Sequence, residues 1–432
     1  MTGKQLIMFI LMFLSVAAPV GIILYARLVR PLKLKLKWRL VWGALIAVLM
    51  GICVSGIPLS VYFSRNFELA QRFHFDAWGS LAYYVMAFVC VLLVCVIVRD
   101  VISGCARLYK YIRAGRFSKM SGNAAPGNAA PGNAAPDNAA PDNDAPEDLL
   151  RRKFMAHKTQ MATVGVSVLM TPVVVCDAKH RVVKHVDIAL SKIPASIDGF
   201  KIAHLSDIHV GNTIYRSDIA QIVEETNALK PDLIVITGDL VEGYSFLIGS
   251  WLEPIKNLKA PYGVYFVTGN HDHLYDINGW LEIIRGMNIR VLNNAHEIID
   301  INGTKIALAG VIDAHGDRFR RLQPYRSDPV QALDGVAPDL FKIMLAHQPA
   351  SVLPGFDAGA DLVLLGHTHG GQFWPCSLLI DKIHHYAHGL YDEGRRAAFV
   401  SCGTGYWGPP LRFGVPSEID ILTLRHRDND SV

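Results

Sequence analysis

Charge is scarce in this chain of 432 residues: Asp, Glu, Lys and Arg make up 19% of it, while 51% is apolar. Soluble domains carry roughly 25% charge. The shortage excludes a disordered chain and argues against a protein that lives wholly in water. An excess of one sign is also missing. Forty-two Lys and Arg face 38 Asp and Glu, a net of +4, so no feature at whole-chain level marks a nucleic-acid binder. Cysteine is sparse as well, with seven scattered residues that do not make a disulfide framework. Cys53, Cys90 and Cys95 fall in apolar runs and count as small apolar residues. Only Cys376 and Cys402 lie deep in the C-terminal part, where they pair if the compartment is oxidising and otherwise stay as thiols.

The apolar residues are concentrated at the front. Leu6–Ala26, Leu40–Phe63 and Ala77–Val98 contain no Lys, Arg, Asp or Glu, and each is long enough for the roughly 20 residues that cross a bilayer core. A fourth run, Thr159–Cys176, comes after Arg151, Arg152, Lys153 and Lys158 and would span about 27 Å as a helix. Its basic flank looks like that of a signal sequence, but its position deep in the chain favours an internal span. Among the loops that follow the first three runs, basic residues gather at Arg27 to Arg39 and at Arg99 to Lys119, whereas the loop between the second and third runs has only Arg65 and Arg72, beside Glu68 and Asp76. The excess of Lys and Arg on the cytoplasmic side of membrane proteins predicts that both basic loops face the cytoplasm. The lipid bilayer is therefore an expected partner. If the fourth run crosses, the chain beyond it is extracytoplasmic, on the periplasmic side in a bacterium.

Between the third and fourth runs, Gly-Asn-Ala-Ala-Pro repeats three times from Gly122 to Pro136 and decays through Pro146. Pro blocks helix and Gly, Asn and Asp favour turns, so this reads as a flexible or partly extended spacer. The expected organisation is a membrane domain at 1–98, a basic segment with the repeat at 99–158, a fourth span at 159–176 and a soluble domain at 177–432.

From Asp177 on, short apolar strands alternate with amphipathic stretches, the pattern of an α/β domain. Strands are expected at 201–206, 233–237, 264–268, 298–301, 305–308, 341–345, 361–365, 397–401 and 419–424, with a hairpin at Asn302-Gly303. Helices are expected at 216–229, 246–258 and 277–287. Five of the strands run into polar motifs: Asp207-Ile-His209, Gly238-Asp239, Gly269-Asn270-His271-Asp272, Ala346-His347, and Gly366-His367-Thr-His369-Gly-Gly-Gln372. Ligands of α/β sheets gather at the carboxyl ends of strands, so these residues point at one site. His nitrogens and carboxylate oxygens suit Zn, Fe or Mn. Seven candidate ligands are too many for one tetrahedral ion and about right for two, and a pair of ions can clamp an in-line phosphoryl displacement.

These motifs, in this order from Lys201 to about Leu424, resemble those of the calcineurin-like metallophosphoesterases. The resemblance implies a four-layer α/β/β/α sandwich with two mixed sheets, and hydrolysis of a phosphate ester by hydroxide bridging two divalent ions. Asp207, His209, Asp239 and His369 would hold one ion. Asp239, Asn270, His347 and His367 would hold the other, with Asp239 shared. His271 would stabilise the phosphoryl group or protonate the leaving oxygen, and Asp272 would hold its ring. The protein-phosphatase branch carries Gly-Asp-x-x-Asp-Arg-Gly, where this chain has Gly238-Asp-Leu-Val-Glu242-Gly243, so protein phosphatase activity is not expected. The Gly-Gly-Gln after His369 and the stretch Trp407 to Gly414 look more like a bacterial membrane-anchored phosphodiesterase branch. Asp313, His315 and Arg412 are further candidates for the substrate pocket. His384, His385 and His388 read as exposed loop residues, His204 as a core residue and His273 as solvent-facing. Two other functions fit the residues less well: a cytoplasmic-facing nucleotide or monoester phosphatase, and a membrane sensor or transporter whose second domain only binds metal.

Overall fold

A computed structural model describes residues 3–63, 75–121, 146–315 and 326–428. The pentapeptide repeat lies almost wholly outside them. The chain divides into two compact units, one of Met8–Val54 with Phe88–Thr171, the other of Met1–Ile7, Ser55–Ala87 and Pro172–Val432.

Four long helices carry the apolar runs: α1 (Gly3–Leu24), α2 (Leu36–Phe63), α3 (Phe75–Ser121) and α4 (Pro146–Lys179). Each is long and apolar enough to cross a membrane, over Leu6–Leu32, Leu36–Gly56, Ala77–Arg113 and Phe154–Lys179. The third and fourth helices extend well beyond the expected spans, because the flanking Lys, Arg, Leu and Ala are good helix formers. In α4 the hydroxyls of Thr159, Thr163, Ser167 and Thr171 each donate to the carbonyl four residues back, at 2.7–2.8 Å. That satisfies them within the helix, which is how a polar stripe is tolerated in hydrocarbon. In the first unit Arg27 pairs with Asp100 at 3.1 Å.

The catalytic part is built on two six-stranded mixed sheets, ordered β1-β12-β2-β3-β4-β5 and β10-β11-β9-β8-β7-β6. The strands are β1 (Arg181–Leu190), β2 (Lys201–Leu205), β3 (Leu233–Thr237), β4 (Val264–Val267), β5 (Arg290–Val291), β6 (Ala295–Ile301), β7 (Thr304–Gly310), β8 (Phe341–Leu345), β9 (Leu362–Leu365), β10 (Gly389–Asp392), β11 (Ala397–Val400) and β12 (Ser417–His426). The helices used below are α5 (Arg216–Ala228), α6 (Asn270–Leu274), α7 (Ile277–Gly286), α8 (Val352–Asp357) and α9 (Ser377–Ile383).

Side chains alternate across a strand, and the strands exploit this. Leu233 and Val235 of β3 meet Phe341, Ile343 and Leu345 of β8 in the core between the sheets. Ile234 and Ile236, on the other face of β3, pack with Ile219, Ile222, Ile277 and Trp280 from α5 and α7. Met344 of β8 faces Val352 and Phe356 of α8. The outcome is the expected α/β/β/α sandwich. β1, β5 and β10 lie outside the expected strands. Each is at or near a sheet edge, where one side lacks a partner and the apolar pattern is weak. The helix expected at 246–258 is a short turn followed by a 3-10 stretch, Gly249–Asn257, because Pro254 lies inside it.

Candidate metal centre

The loops after β2, β3, β4, β8 and β9 bring the expected ligands together. His209 Nε2 lies 3.2 Å from His369 Nε2, and His369 Nε2 lies 3.4 Å from Asp207 Oδ1. On the other side His347 Nε2 lies 3.2 Å from His367 Nδ1 and 3.2 Å from Asn270 Oδ1. Asp239 Oδ2 stands between the two sets, 3.8 Å from His209 Nε2 and 3.1 Å from His347 Nε2. Asp207-His209-His369 and Asp239-His347-His367 each form a cluster that could hold an ion.

The donor chemistry fits two cations. Asp207 Oδ1 is buried without a hydrogen-bond partner, a costly state unless a positive charge faces it. The far nitrogens of two rings are anchored: His347 Nδ1 donates to the Thr237 carbonyl at 2.8 Å and His209 Nδ1 bonds Glu242 at 3.0 Å. Each leaves Nε2 free to ligate, as outer partners of metal-binding histidines do. Burial, then the neighbouring Arg412, hold the His369 ring well below its ordinary pKa, so it stays neutral as a ligand must.

The backbone is bent to this purpose. Asp207, His209, Asp239, His367 and His369 all have φ between 49° and 75°, a left-handed region that costs a non-glycine residue roughly 1–2 kcal/mol. Strain of this kind persists where surrounding structure over-determines it, typically at active sites. The adjoining glycines are compulsory. A Cβ on Gly269 would lie 2.2 Å from Asp239 Oδ1, and one on Gly366 would lie 1.9 Å from Ser206 Oγ.

His271 stands at the rim, its backbone N–H donating to Asp239 Oδ1 at 2.8 Å. Its Nδ1 lies 2.7 Å from Glu242 Oε2. Burial opposes a charge on this ring, but the Glu242 and Asp239 carboxylates more than offset it and push its pKa up to about 9. The expected partner, Asp272, is turned elsewhere. Its carboxylate accepts backbone N–H groups of Asp239, Leu240, Val241 and Gly269 at 2.7–3.3 Å, so it ties the β3 loop to α6. Glu242, absent from the expected site residues, holds the rings of both His209 and His271 and accepts the Tyr275 hydroxyl at 2.7 Å. The signal was present: an acid three residues after Asp239, where another branch of the resemblance carries Asp.

Arg412 does not face substrate. It is fully buried, and its guanidinium donates to the carbonyls of Cys402 and Gly405 at 2.7 and 2.6 Å and lies 3.1 Å from His369 Nδ1. It knits the loops after β9 and β11 from behind. Asp313 is also buried, accepting Gln348 Nε2 at 2.9 Å and the His315 N–H at 2.7 Å, so it braces the loop after β8. His273 is buried, bonded to Thr268 at 3.0 Å, and is not solvent-facing. His204 is a core residue whose Nε2 bonds Thr237 at 2.7 Å. Of the three clustered histidines, His384 comes to the site, its ring 6.3 Å from that of His367; His385 and His388 stay exposed. Cys376 and Cys402 are unbonded thiols, one exposed and one buried.

Comparison with known proteins identifies the family. The calcineurin-like phosphoesterase family model matches residues 200–371. A transmembrane protein with metallophosphoesterase domain from Danio rerio is 36% identical over 275 residues, covering 62% of this chain and 63% of that one. An uncharacterized metallophosphoesterase of Helicobacter pylori is 38% identical over 244 residues, 56% of this chain and 63% of the other. The uncharacterized metallophosphoesterase YkuE of Bacillus subtilis is 31% identical over 243 residues, 54% of this chain and 82% of its own length. The chain thus spans less than two thirds of the first two relatives.

Proposed function

Because the chain belongs to the calcineurin-like metallophosphoesterases, we propose that it is a membrane-anchored, dinuclear metal-dependent hydrolase of phosphate diesters, with its site on the extracytoplasmic side. The observation that carries the reading is the pair of ligand clusters, Asp207-His209-His369 and Asp239-His347-His367, with Asp239 Oδ2 standing between them. Asp207, His209, Asp239 and His369 would hold one divalent ion, and Asp239, Asn270, His347 and His367 the other. When bound, the ions supply Lewis acidity to the phosphoryl oxygens and lower the pKa of a coordinated water. The chain's own residues do the rest. His271, oriented by Glu242, faces the phosphoryl group and returns a proton to the leaving oxygen. Asp272 and Arg412 keep the ligand loops in place.

The sidedness is supported by α3. Near its amino end Ser80 Oγ lies 3.2 Å from the Tyr215 hydroxyl and hydrogen-bonds the carbonyl of Asn212. The basic stretch Arg99 to Lys119 lies further along the same helix, and the excess of Lys and Arg on the cytoplasmic side of membrane proteins supports reading that stretch as cytoplasmic. A matrix of metals against aryl phosphomonoesters and diesters, on the full chain, tests the activity. We expect Mn, Fe or Zn to restore diester hydrolysis after chelation, and Asp239→Asn to abolish it. Full activity in that variant would sink the metal assignment.

A further inference from the structure

One surface beside the site is left unused by the proposed chemistry. Helix α9 buries none of its residues. Its Leu378, Leu379 and Ile383 are 60%, 52% and 70% exposed, and Trp374, Trp407 and Phe413 nearby are 39%, 53% and 47% exposed. Single exposed apolar residues are ordinary, but a grouped patch marks an interaction site. These are grouped by hydrogen bonds. The Trp374 N–H donates to the Phe413 carbonyl at 3.0 Å and the Ser377 N–H to the Phe373 carbonyl at 3.1 Å. The Gln372 amide clasps the Trp407 backbone, donating to its carbonyl at 3.0 Å and accepting its N–H at 2.9 Å. The patch is therefore one lip.

Two contacts join the lip to the site: the Trp407 ring lies 5.8 Å from that of His271, and His384 directly follows α9. A third joins it to a membrane helix. A Cβ on Gly408 would lie 3.7 Å from Cε1 of Tyr83, and Tyr83 is near the start of the span in α3. Gly408, next to Trp407 of the lip, thus lies against a helix long and apolar enough to cross the membrane. Trp favours the membrane–water interface, an apolar helix face can bury itself to about 5–10 Å there, and Lys382 beside it suits anionic headgroups.

We propose that this lip dips into the bilayer that holds the chain, and that the site hydrolyses the phosphate ester of a lipid headgroup without the lipid leaving the membrane. The proposal rests on the phosphoesterase reading. In the reaction a water oxygen adds to phosphorus, the P–O bond to the leaving alcohol breaks, and a proton passes to that oxygen. The test uses the full chain in phosphatidylcholine vesicles with two diesters: water-soluble bis(p-nitrophenyl) phosphate, and a diacyl phosphatidyl-p-nitrophenol embedded in the bilayer. For Leu378→Ser/Leu379→Ser/Ile383→Ser we expect at least a tenfold loss on the lipid ester and a change under twofold on the soluble one. Equal losses on both, or none on the lipid ester, overturn the proposal. A parent protein that cleaves only the soluble ester overturns the lipid substrate and leaves the phosphoesterase reading standing; cleavage of neither under any metal sinks that reading. Membrane contact is decided separately by photo-crosslinking from p-benzoylphenylalanine in place of Leu379, with Lys256 as the control position. We expect lipid adducts at 379 and none at 256; adducts to protein instead of lipid overturn the lip.

Discussion

Glu242 is the residue through which the most geometry passes. It is largely buried, yet the rings of His271 and His209 more than offset the cost of burial and hold its carboxyl well below the usual range. Glu242→Gln keeps the volume and removes the charge that orients both rings. We expect kcat on an aryl diester to fall about 10- to 100-fold, the range found when outer partners of metal-site histidines are lost, with folding intact by circular dichroism; unchanged kcat would show that Glu242 does not orient His271. Gly269→Ala should be harsher. Its Cβ would collide with Asp239, so calorimetric titration should show metal binding weakened or lost. Gly286→Ala, whose Cβ meets nothing within 4 Å, should instead leave binding unchanged and stabilise α7 by about 0.5–1 kcal/mol. Equal binding in both variants would contradict the tight packing at Gly269.

At the scale of elements, α7 links the core to the chemistry. Trp280 is fully buried, and its Nε1 donates to the Gly243 carbonyl at 2.8 Å, next to Glu242. Trp280→Ala should cost about 3–5 kcal/mol, read as a lower thermal midpoint, and should also lower kcat because the Glu242 loop loses its brace. A drop in stability alone would separate the helix from the site. The strands that carry the ligands were legible in the sequence because they are short, fully buried and apolar, and end abruptly in Asp, Asn or His. What escaped was set by packing between distant segments. The family resemblance implies Asp272 on the His271 ring, but the turn at α6 aims its carboxylate at the backbone of the β3 loop. Arg412 read as a candidate for the substrate pocket because sequence does not show that loops after two different strands close over it. α9 escaped because a helix with no buried face has no core-facing pattern to read.

For the molecule as a whole, the proposed orientation of the four candidate spans is directly testable. A phosphatase reporter that works only outside the cytoplasm, fused after Val432, should be active, and a fluorescent reporter that matures only in the cytoplasm should be dark. The opposite pair of results would move the catalytic part to the cytoplasmic side and favour a nucleotide or monoester substrate. The contact between α3 and the catalytic loops also bears on how the protein can be cut for laboratory use. Ala82, Tyr83 and Ala87 are buried in the same compact unit as residues 172–432. A fragment beginning at Asp177 would leave behind the turns of helix that meet Asn212, Tyr215 and Gly408. Expression trials should therefore supply that stretch, as a grafted helix or a peptide added in trans, and a fragment that precipitates without it has lost part of its interior.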